Sequence, residues 1–268
     1  LTAKFLQAIS PKLATRFAAK LFTTPIKYKI PKREFQMDKQ SVQNDVLIPS
    51  INKTIKTYRY GNSPKKILLV HGWSGRGTQL VKIADKLIEM GYATVSFDAP
   101  AHGKSKGNSS IMTEFIASIH ELDKQFGPFE YAIGHSLGGM SIINAIKQNL
   151  NVKKAVIIGS GDLIQDIITD FIEKLQLKPE IGNRMRNHFE HKFGESMNNY
   201  STSVVAKNVE TPVFIIHDED DSDVNVKCAH NIHNNLKNSK LMITKKLGHR
   251  KILGNEKVIE EIIAFIRS

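Results

Sequence analysis

Residues 134–139 of this chain read Gly-His-Ser-Leu-Gly-Gly. The run before them, residues 129–133, predicts a strand, and residues 140–150 predict a helix. A serine between a strand and a helix, with glycine two positions to either side, predicts a sharp turn that strains the serine backbone. Such a turn lifts the Ser136 hydroxyl clear of the sheet and points the first amides of the helix at it. Ser136 is therefore a candidate nucleophile.

A serine hydroxyl needs a base to remove its proton before it attacks. A histidine and a carboxylate are therefore expected downstream, each after a strand. Residues 211–217 predict a buried strand, and the acidic loop 218–223 follows it. Residues 240–246 predict a further strand, and His249 follows that one. The order serine, acid, histidine differs from the orders of the chymotrypsin and subtilisin families.

Three more motifs, together with the serine turn, give the chain a resemblance to the α/β-hydrolase superfamily along most of its length. Residues 71–73, His-Gly-Trp, resemble the HG-x oxyanion segment after the third strand of that family. Residues 98–105 resemble its D-x-P-G-H-G-x-S loop, and residues 217–224 resemble its H-G-x-x-D-x-x-V segment. The chain has Ala101 and Asp218 where these patterns have glycine. The motifs stand in the family order and on the expected element types.

This resemblance implies a catalytic triad. Ser136 is the expected nucleophile, His249 the base and, from its position in the motif, Asp221 the acid. Asp220 and Asp223 remain open as alternatives for the acid.

The resemblance also implies an oxyanion hole formed by the backbone amides of Trp73 and Leu137. The expected reaction is hydrolysis of a carboxylic ester, or a related acyl bond, of a hydrophobic small molecule. Acyl transfer or thioester hydrolysis on the same triad stays open, and so does a non-catalytic homologue that binds a ligand. We expect no cofactor, and no Cys/His cluster in the sequence predicts a metal site.

Strands and helices alternate along the chain, which predicts one α/β domain over residues 1–268. The resemblance implies an α/β-hydrolase fold, a mostly parallel sheet of about eight strands covered by helices on both faces. Residues 161–206 interrupt the alternation with helical periodicity, and in the family this position commonly holds a lid over the site. We therefore expect a helical lid there.

The positive charge of the chain is concentrated near its start. Residues 1–66 contain 14 of the 38 basic residues and only three of the 26 acidic ones. The remaining residues are nearly neutral, so the hydrolase body is not expected to bind nucleic acid. No apolar run approaches the length of a membrane span. We expect a cytoplasmic protein, and the sequence leaves its oligomeric state open.

Residues 1–25 predict a basic helical extension in which Ser10 caps a helix that begins at Pro11. The helix carries an apolar stripe beside a basic stripe; these are Leu13, Phe17 and Leu21, and Lys12, Arg16 and Lys20. We expect the apolar stripe to pack against the body and the basic residues to remain in water. The alternative is that residues 11–22 lie on an anionic membrane surface.

Overall fold

The computed structural model describes residues 2–268, so Leu1, the first residue of the predicted extension, lies outside the described residues. The strands are β1 (Val42–Ile48), β2 (Lys53–Tyr60), β3 (Lys66–Val70), β4 (Ala93–Asp98), β5 (Tyr131–His135), β6 (Lys154–Ile158), β7 (Val213–Asp218) and β8 (Ser239–Thr244). The helices are α1 (Thr2–Ile9), α2 (Pro11–Phe22), α3 (Phe35–Gln40), α4 (Val81–Glu89), α5 (Met112–Phe126), α6 (Leu137–Lys147), α7 (Ile164–Lys174), α8 (Pro179–Phe193), α9 (Thr202–Ala206), α10 (Lys227–Asn235), α11 (Gly248–Lys251) and α12 (Glu256–Arg267).

The eight strands form one sheet in the order β1-β2-β4-β3-β5-β6-β7-β8. Strand β2 is antiparallel to both of its neighbours, and all pairings from β4 to β8 are parallel. This confirms the predicted α/β-hydrolase fold. Because the carboxyl ends of parallel strands meet at one edge of a sheet, the loops after β3, β5, β7 and β8 lie at the same edge.

Both faces of the sheet are buried, and β3 illustrates how. Its side chains alternate between two apolar clusters, with Ile67 and Leu69 on one face and Leu68 and Val70 on the other. Helices α4 and α12 cover the first face, whereas α5, α6, α9 and α10 cover the second. A strand covered on both faces is continuously apolar, as the Ile-Leu-Leu-Val run of β3 is.

A third apolar cluster lies outside the two sheet faces and joins the N-terminal helices to the insertion. Residues 161–206 fold as α7, α8, a short 3₁₀ turn and α9. Helix α8 begins at Pro179, because proline is tolerated in the first turn of a helix. Ala14 and Ala18 of α2 pack in this cluster with Ile181 and Met185 of α8.

The N-terminal extension contains two helices where the sequence predicted one. Ser10 caps α2 as predicted, since its hydroxyl accepts a hydrogen bond from the Leu13 amide at 3.5 Å. The expectation that the apolar stripe of Leu13, Phe17 and Leu21 packs against the body holds only for Phe17, which packs against the third cluster; Leu13 is 43 % exposed and Leu21 is 39 % exposed. The alanine face packs instead, since small side chains let α2 approach α8 closely. No helix within residues 2–268 has both the length and the apolarity to cross a membrane.

Candidate active site

The serine turn between β5 and α6 has the strained geometry that its sequence predicts. Ser136 has φ 53° and ψ −120°. A Cβ atom at Gly134 would lie 2.6 Å from the carbonyl carbon of Gly138, and one at Gly138 would lie 2.3 Å from the carbonyl oxygen of Val70. Both positions therefore admit only glycine. The Ser136 amide donates to the carbonyl of Ile158 at 2.9 Å, which holds the strained residue in place.

His249 and Asp221 meet at the carboxyl edge of the sheet. The Nδ1 atom of His249 lies 2.7 Å from Oδ2 of Asp221, and the two side chains are 9 % and 1 % exposed. The other carboxylate oxygen of Asp221 accepts hydrogen bonds from the amides of Asp223 at 2.8 Å and Val224 at 2.9 Å. Burial works to raise the pKa of Asp221, but the hydrogen bonds from His249 and the two amides outweigh it and lower the pKa.

The two alternative acids have other partners. The Asp220 carboxylate accepts a hydrogen bond from the Lys246 amide at 2.9 Å. Asp223 forms an ion pair of 3.1 Å with Arg250 at the surface. Of the three acidic candidates in this loop, Asp221 is the one whose carboxylate contacts the His249 imidazole.

His135, the residue before the serine, places His249 next to the turn. Its ring lies 4.5 Å from the His249 ring between centroids, and its Nε2 donates to the His249 carbonyl at 2.8 Å. Burial, together with the nearby His249, lowers the pKa of His135 to about 3, so this donor is neutral. Within residues 2–268 no hydrogen bond joins the Ser136 hydroxyl to the His249 imidazole.

Asp218 holds the loop that carries His249. Its buried carboxylate accepts hydrogen bonds from the Thr244 hydroxyl at 2.6 Å, the Leu247 amide at 3.1 Å and the Gly248 amide at 2.9 Å. Burial opposes ionisation, yet these bonds together lower the pKa of Asp218. Sequence reasoning missed this role. The available signal was the acidic residue at a position where the family pattern has glycine.

The Gly72 loop after β3 lies directly against the nucleophile turn. A Cβ atom at Gly72 would lie 2.9 Å from the Cβ of Ser136. His71 fixes this loop, because its Nδ1 donates to the Gly72 carbonyl at 2.7 Å while its Nε2 accepts from the Ala99 amide at 3.0 Å. Burial lowers the pKa of His71, which keeps the ring neutral and able to accept this bond.

The two amides predicted to bind an oxyanion, those of Trp73 and Leu137, stand at the end of this loop and at the first residue of α6. In the described part of the chain neither amide donates to a protein acceptor. A helix N-terminus carries partial positive charge, so the Leu137 amide is suited to bind a negative oxygen.

Arg76 anchors the N-terminal segment to the loop after β3. The guanidinium is 7 % exposed and donates to the carbonyls of Tyr28 and Lys29, both at 3.1 Å. It also lies 3.5 Å from the buried carboxylate of Glu34, which accepts a hydrogen bond from the Thr78 hydroxyl at 2.8 Å. Nothing in the sequence pattern indicates this buried pair, because its members are 42 residues apart.

A second buried carboxylate, Asp98, joins the loop after β3 to the loop after β4. It accepts hydrogen bonds from the amides of Gly77 and Lys104, each at 2.7 Å, and from the Tyr58 hydroxyl at 2.8 Å. Burial nevertheless raises the pKa of Asp98. Ala101 in the same loop has φ 64°, so it keeps the left-handed conformation for which the family pattern uses glycine.

A cavity of about 930 Å³ opens onto Ser136. Its walls are mostly apolar and come from α2, α5, α6, α7, α8, α10 and the loops at the sheet edge; they include Phe22, Trp73, Leu137, Met140, Phe171 and Phe189. A cavity of this size accommodates a drug-sized or acyl-chain ligand. The part of the wall supplied by α2 was not expected from the sequence.

Comparison with known proteins places the fold among hydrolases. The alpha/beta hydrolase family model matches residues 67–220, and no curated protein matches the chain. An esterase from Pyrococcus furiosus superposes with a TM-score of 0.68 at 18 % identity, covering 91 % of this chain and 96 % of its own. An esterase from Exiguobacterium antarcticum gives 0.66 at 18 %, covering 85 % and 100 %. A membrane phospholipase A described as a bacterial virulence factor gives 0.65 at 16 %, covering 99 % and 92 %.

Proposed function

The chain belongs to the alpha/beta hydrolase family, and we propose that it is a serine hydrolase that cleaves a carboxylic ester of a hydrophobic small molecule. The proposal rests on the 2.7 Å contact between His249 and Asp221, beside a strained serine turn at the same edge of the sheet. A buried carboxylate that orients an imidazole next to a serine hydroxyl is the arrangement that activates a serine.

In the proposed reaction the Ser136 oxygen attacks the carbonyl carbon of the ester while Nε2 of His249 takes the hydroxyl proton. Asp221 accepts the hydrogen bond from Nδ1 and stabilises the imidazolium that forms. The carbonyl oxygen becomes negative, and the amides of Trp73 and Leu137 donate to it.

Collapse of the tetrahedral intermediate breaks the bond to the leaving alcohol, whose oxygen receives the proton from His249. An acyl group then remains on Ser136. Water attacks this acyl-enzyme with His249 again as the base, which releases the acid and restores the serine.

The cavity supports an apolar acyl or alcohol group as the substrate element. Helices within residues 161–206 line it, among them α7 through Phe171 and α8 through Phe189. We propose that residues 161–206 act as the lid of the site and exclude water from it. The N-terminal helix α2 belongs to the same wall, so the lid includes residues outside the insertion.

The proposal is tested with p-nitrophenyl esters from acetate to palmitate. We expect hydrolysis by the wild-type chain, with kcat/KM higher for longer acyl chains than for acetate, and a loss of about 10⁴-fold in Ser136→Ala. Ser222→Ala is the matched control, because this exposed serine lies in the loop of Asp221 and its loss should leave the rate unchanged. Equal rates in wild type and Ser136→Ala would refute the serine mechanism.

A transferase and a binding protein are distinguished by two further readouts. If acyl transfer dominates, an added alcohol yields a new ester at the expense of the free acid. If the chain only binds a ligand, no ester is turned over and the cavity still takes up a hydrophobic fluorophore. The intact acid–base contact favours catalysis over this second outcome.

A further inference from the structure

The outer face of the two N-terminal helices is apolar and exposed. Phe5 is 64 % exposed, Ile9 59 %, Leu13 43 % and Leu21 39 %. Phe5 and Ile9 are four residues apart in α1, and Leu13 and Leu21 are eight residues apart in α2, so each pair lies toward one side of its helix. The opposite side of α2 is occupied by the buried Ala14 and Ala18 side chains, which pack in the helical cluster. We call the exposed set the outer face. Exposed apolar side chains in such a group indicate an interaction surface.

Positive charge flanks the outer face without any compensating acid. Residues 1–33 contain eight Lys or Arg and no Asp or Glu. Lys12, Arg16 and Lys20 are exposed and form a row beside Leu13 and Leu21 on α2. Among residues 2–268 none of these three cations forms an ion pair.

The segment after α2 also exposes apolar side chains, and hydrogen bonds to the body hold its backbone. Ile26 and Tyr28 are each 61 % exposed. The Ile26 amide donates to the Ser74 hydroxyl at 3.0 Å, and Arg76 holds the Tyr28 carbonyl at 3.1 Å. Because the backbone is fixed to the body by these bonds, the apolar side chains are presented outward by a held segment.

We propose that this N-terminal surface docks on an anionic lipid bilayer. Apolar side chains on a basic amphipathic helix enter the headgroup region, and nearby cations are attracted to anionic lipids. A second copy of the chain is a poor occupant, because a two-fold contact through this face would bring Lys12, Arg16 and Lys20 of both copies together, and these cations have no carboxylate partner within residues 2–268. Charge complementarity therefore selects the lipid surface.

The docking surface adjoins the cavity, so docking bears on the route by which a substrate reaches the site. Leu21 of the outer face, its neighbour Phe22, and Phe193 of α8, which is 45 % exposed, all line that cavity. If the proposed hydrolase function holds, the ester enters from the bilayer along these side chains. The docking itself does not depend on catalysis.

Vesicle flotation tests the docking with Ser136→Ala protein, so that lipid turnover cannot interfere. Phosphatidylcholine vesicles containing phosphatidylserine are compared with phosphatidylcholine alone. We expect binding to the anionic vesicles that weakens as salt is added. Lys12→Gln/Arg16→Gln/Lys20→Gln should bind about 100-fold more weakly. The matched control is Lys147→Gln/Lys207→Gln/Lys257→Gln, which removes three exposed cations from the hydrolase body and should bind as the parent does.

The apolar contribution is tested with Phe5→Gln/Ile9→Gln/Leu13→Gln. These side chains do not line the cavity, and glutamine preserves the helices. We expect binding at least about tenfold weaker, with an unchanged circular dichroism spectrum and melting temperature. Val42→Gln/Leu47→Gln, on an edge strand where both side chains are at least half exposed, is the control and should bind normally.

Three results would overturn the docking proposal. The first is no binding to anionic vesicles, and the second is equal binding by the parent and both N-terminal variants. The third is a concentration-dependent dimer in sedimentation velocity that the Phe5, Ile9 and Leu13 substitutions abolish. Hydrolysis of p-nitrophenyl butyrate in solution separates the two proposals: a chain that docks but does not hydrolyse any ester retains this inference and loses the proposed function.

Discussion

At the carboxyl edge of the sheet the chain buries polar side chains, whereas in residues 2–33 it exposes apolar ones. The Asp221 and His249 side chains are 1 % and 9 % exposed, while Phe5 is 64 % exposed. Both arrangements cost stability, since a buried charge loses hydration and an exposed aromatic ring orders water. A buried polar side chain and an exposed apolar one are both unusual, and each indicates a site that contacts a substrate or a partner.

The two regions differ in how they are held. The two buried carboxylates at the sheet edge have specific partners; Asp221 and Asp218 together accept bonds from two side chains and several amides. The outer face instead rests on an alanine contact and a few backbone anchors. Activity should therefore fall sharply when one hydrogen-bond partner at the sheet edge is lost. Vesicle binding should instead weaken gradually as side chains of the outer face are removed.

The largest effect is expected at the acid. Asp221→Asn should lower kcat by about 10³- to 10⁴-fold, because the amide favours the wrong imidazole tautomer and cannot stabilise the imidazolium. Asp220→Asn and Asp223→Asn, in the same loop, should retain most activity. A pH–rate series with a soluble ester measures all three, and a comparable loss in Asp223→Asn would contradict the assignment. None of the three should change vesicle binding.

A smaller fall in kcat is expected for Asp218→Asn. The NH2 group of the asparagine would face either the Leu247 or the Gly248 amide, donor against donor, so the His249 loop should shift and kcat should fall about 10- to 100-fold. KM should stay nearly constant, because Asp218 does not line the cavity. Asp218→Glu, which restores the charge, should recover part of the rate. A rise in KM with unchanged kcat would show that Asp218 does not position His249.

Much of the sheet edge could be predicted from the sequence because its constraints are local. The glycines flanking Ser136 and the short strand-to-loop motifs fix each candidate catalytic residue relative to its own strand, and the parallel sheet brings the strand ends together. The role of Asp218 was missed because its partners, Leu247 and Gly248, belong to another loop. Periodicity alone could not identify the packing face of α2, because alanine and leucine compete for it and only the partner helix decides.

The anchor between the two regions is expected to affect stability more than chemistry. Glu34→Gln leaves the Arg76 guanidinium buried without its carboxylate and should lower the free energy of unfolding by about 3 kcal/mol. Denaturant unfolding measures this change. The exposed Glu89→Gln, whose Lys86 partner is also at the surface, is the control and should cost less than about 1 kcal/mol. An effect of Glu34→Gln no larger than that of the control would mean that Arg76 does not depend on Glu34.

Acidification should affect the stability of the fold and the vesicle binding of the N-terminal surface differently, without any mutation. Burial lowers the pKa of His102 to about 4 and that of His135 to about 3, from 6.5. Below about pH 6.5 the unfolded chain therefore takes up protons that the folded chain refuses, so stability present above that pH is lost as the pH falls toward 4. Residues 1–66 contain no histidine, so vesicle binding by Lys and Arg should be unchanged from about pH 7.5 to about pH 6.

Melting temperature measured from about pH 7.5 to about pH 4 and flotation measured from about pH 7.5 to about pH 6 check this prediction. His102→Gln should make the decline in melting temperature less steep, because it removes one histidine that takes up a proton in the unfolded chain but not in the folded chain. A melting temperature that rises on acidification would contradict the buried, neutral state of these histidines.

The central claim is that Ser136 is an activated nucleophile, and covalent labelling tests it most directly. A fluorophosphonate probe is incubated with the chain, and the modified peptide is identified by mass spectrometry. We expect one adduct per chain on Ser136. The adduct should be retained in Ser222→Ala and strongly reduced in His249→Gln. No adduct at any pH from about 6 to about 9, or an adduct on another residue with Ser136 unmodified, would contradict it.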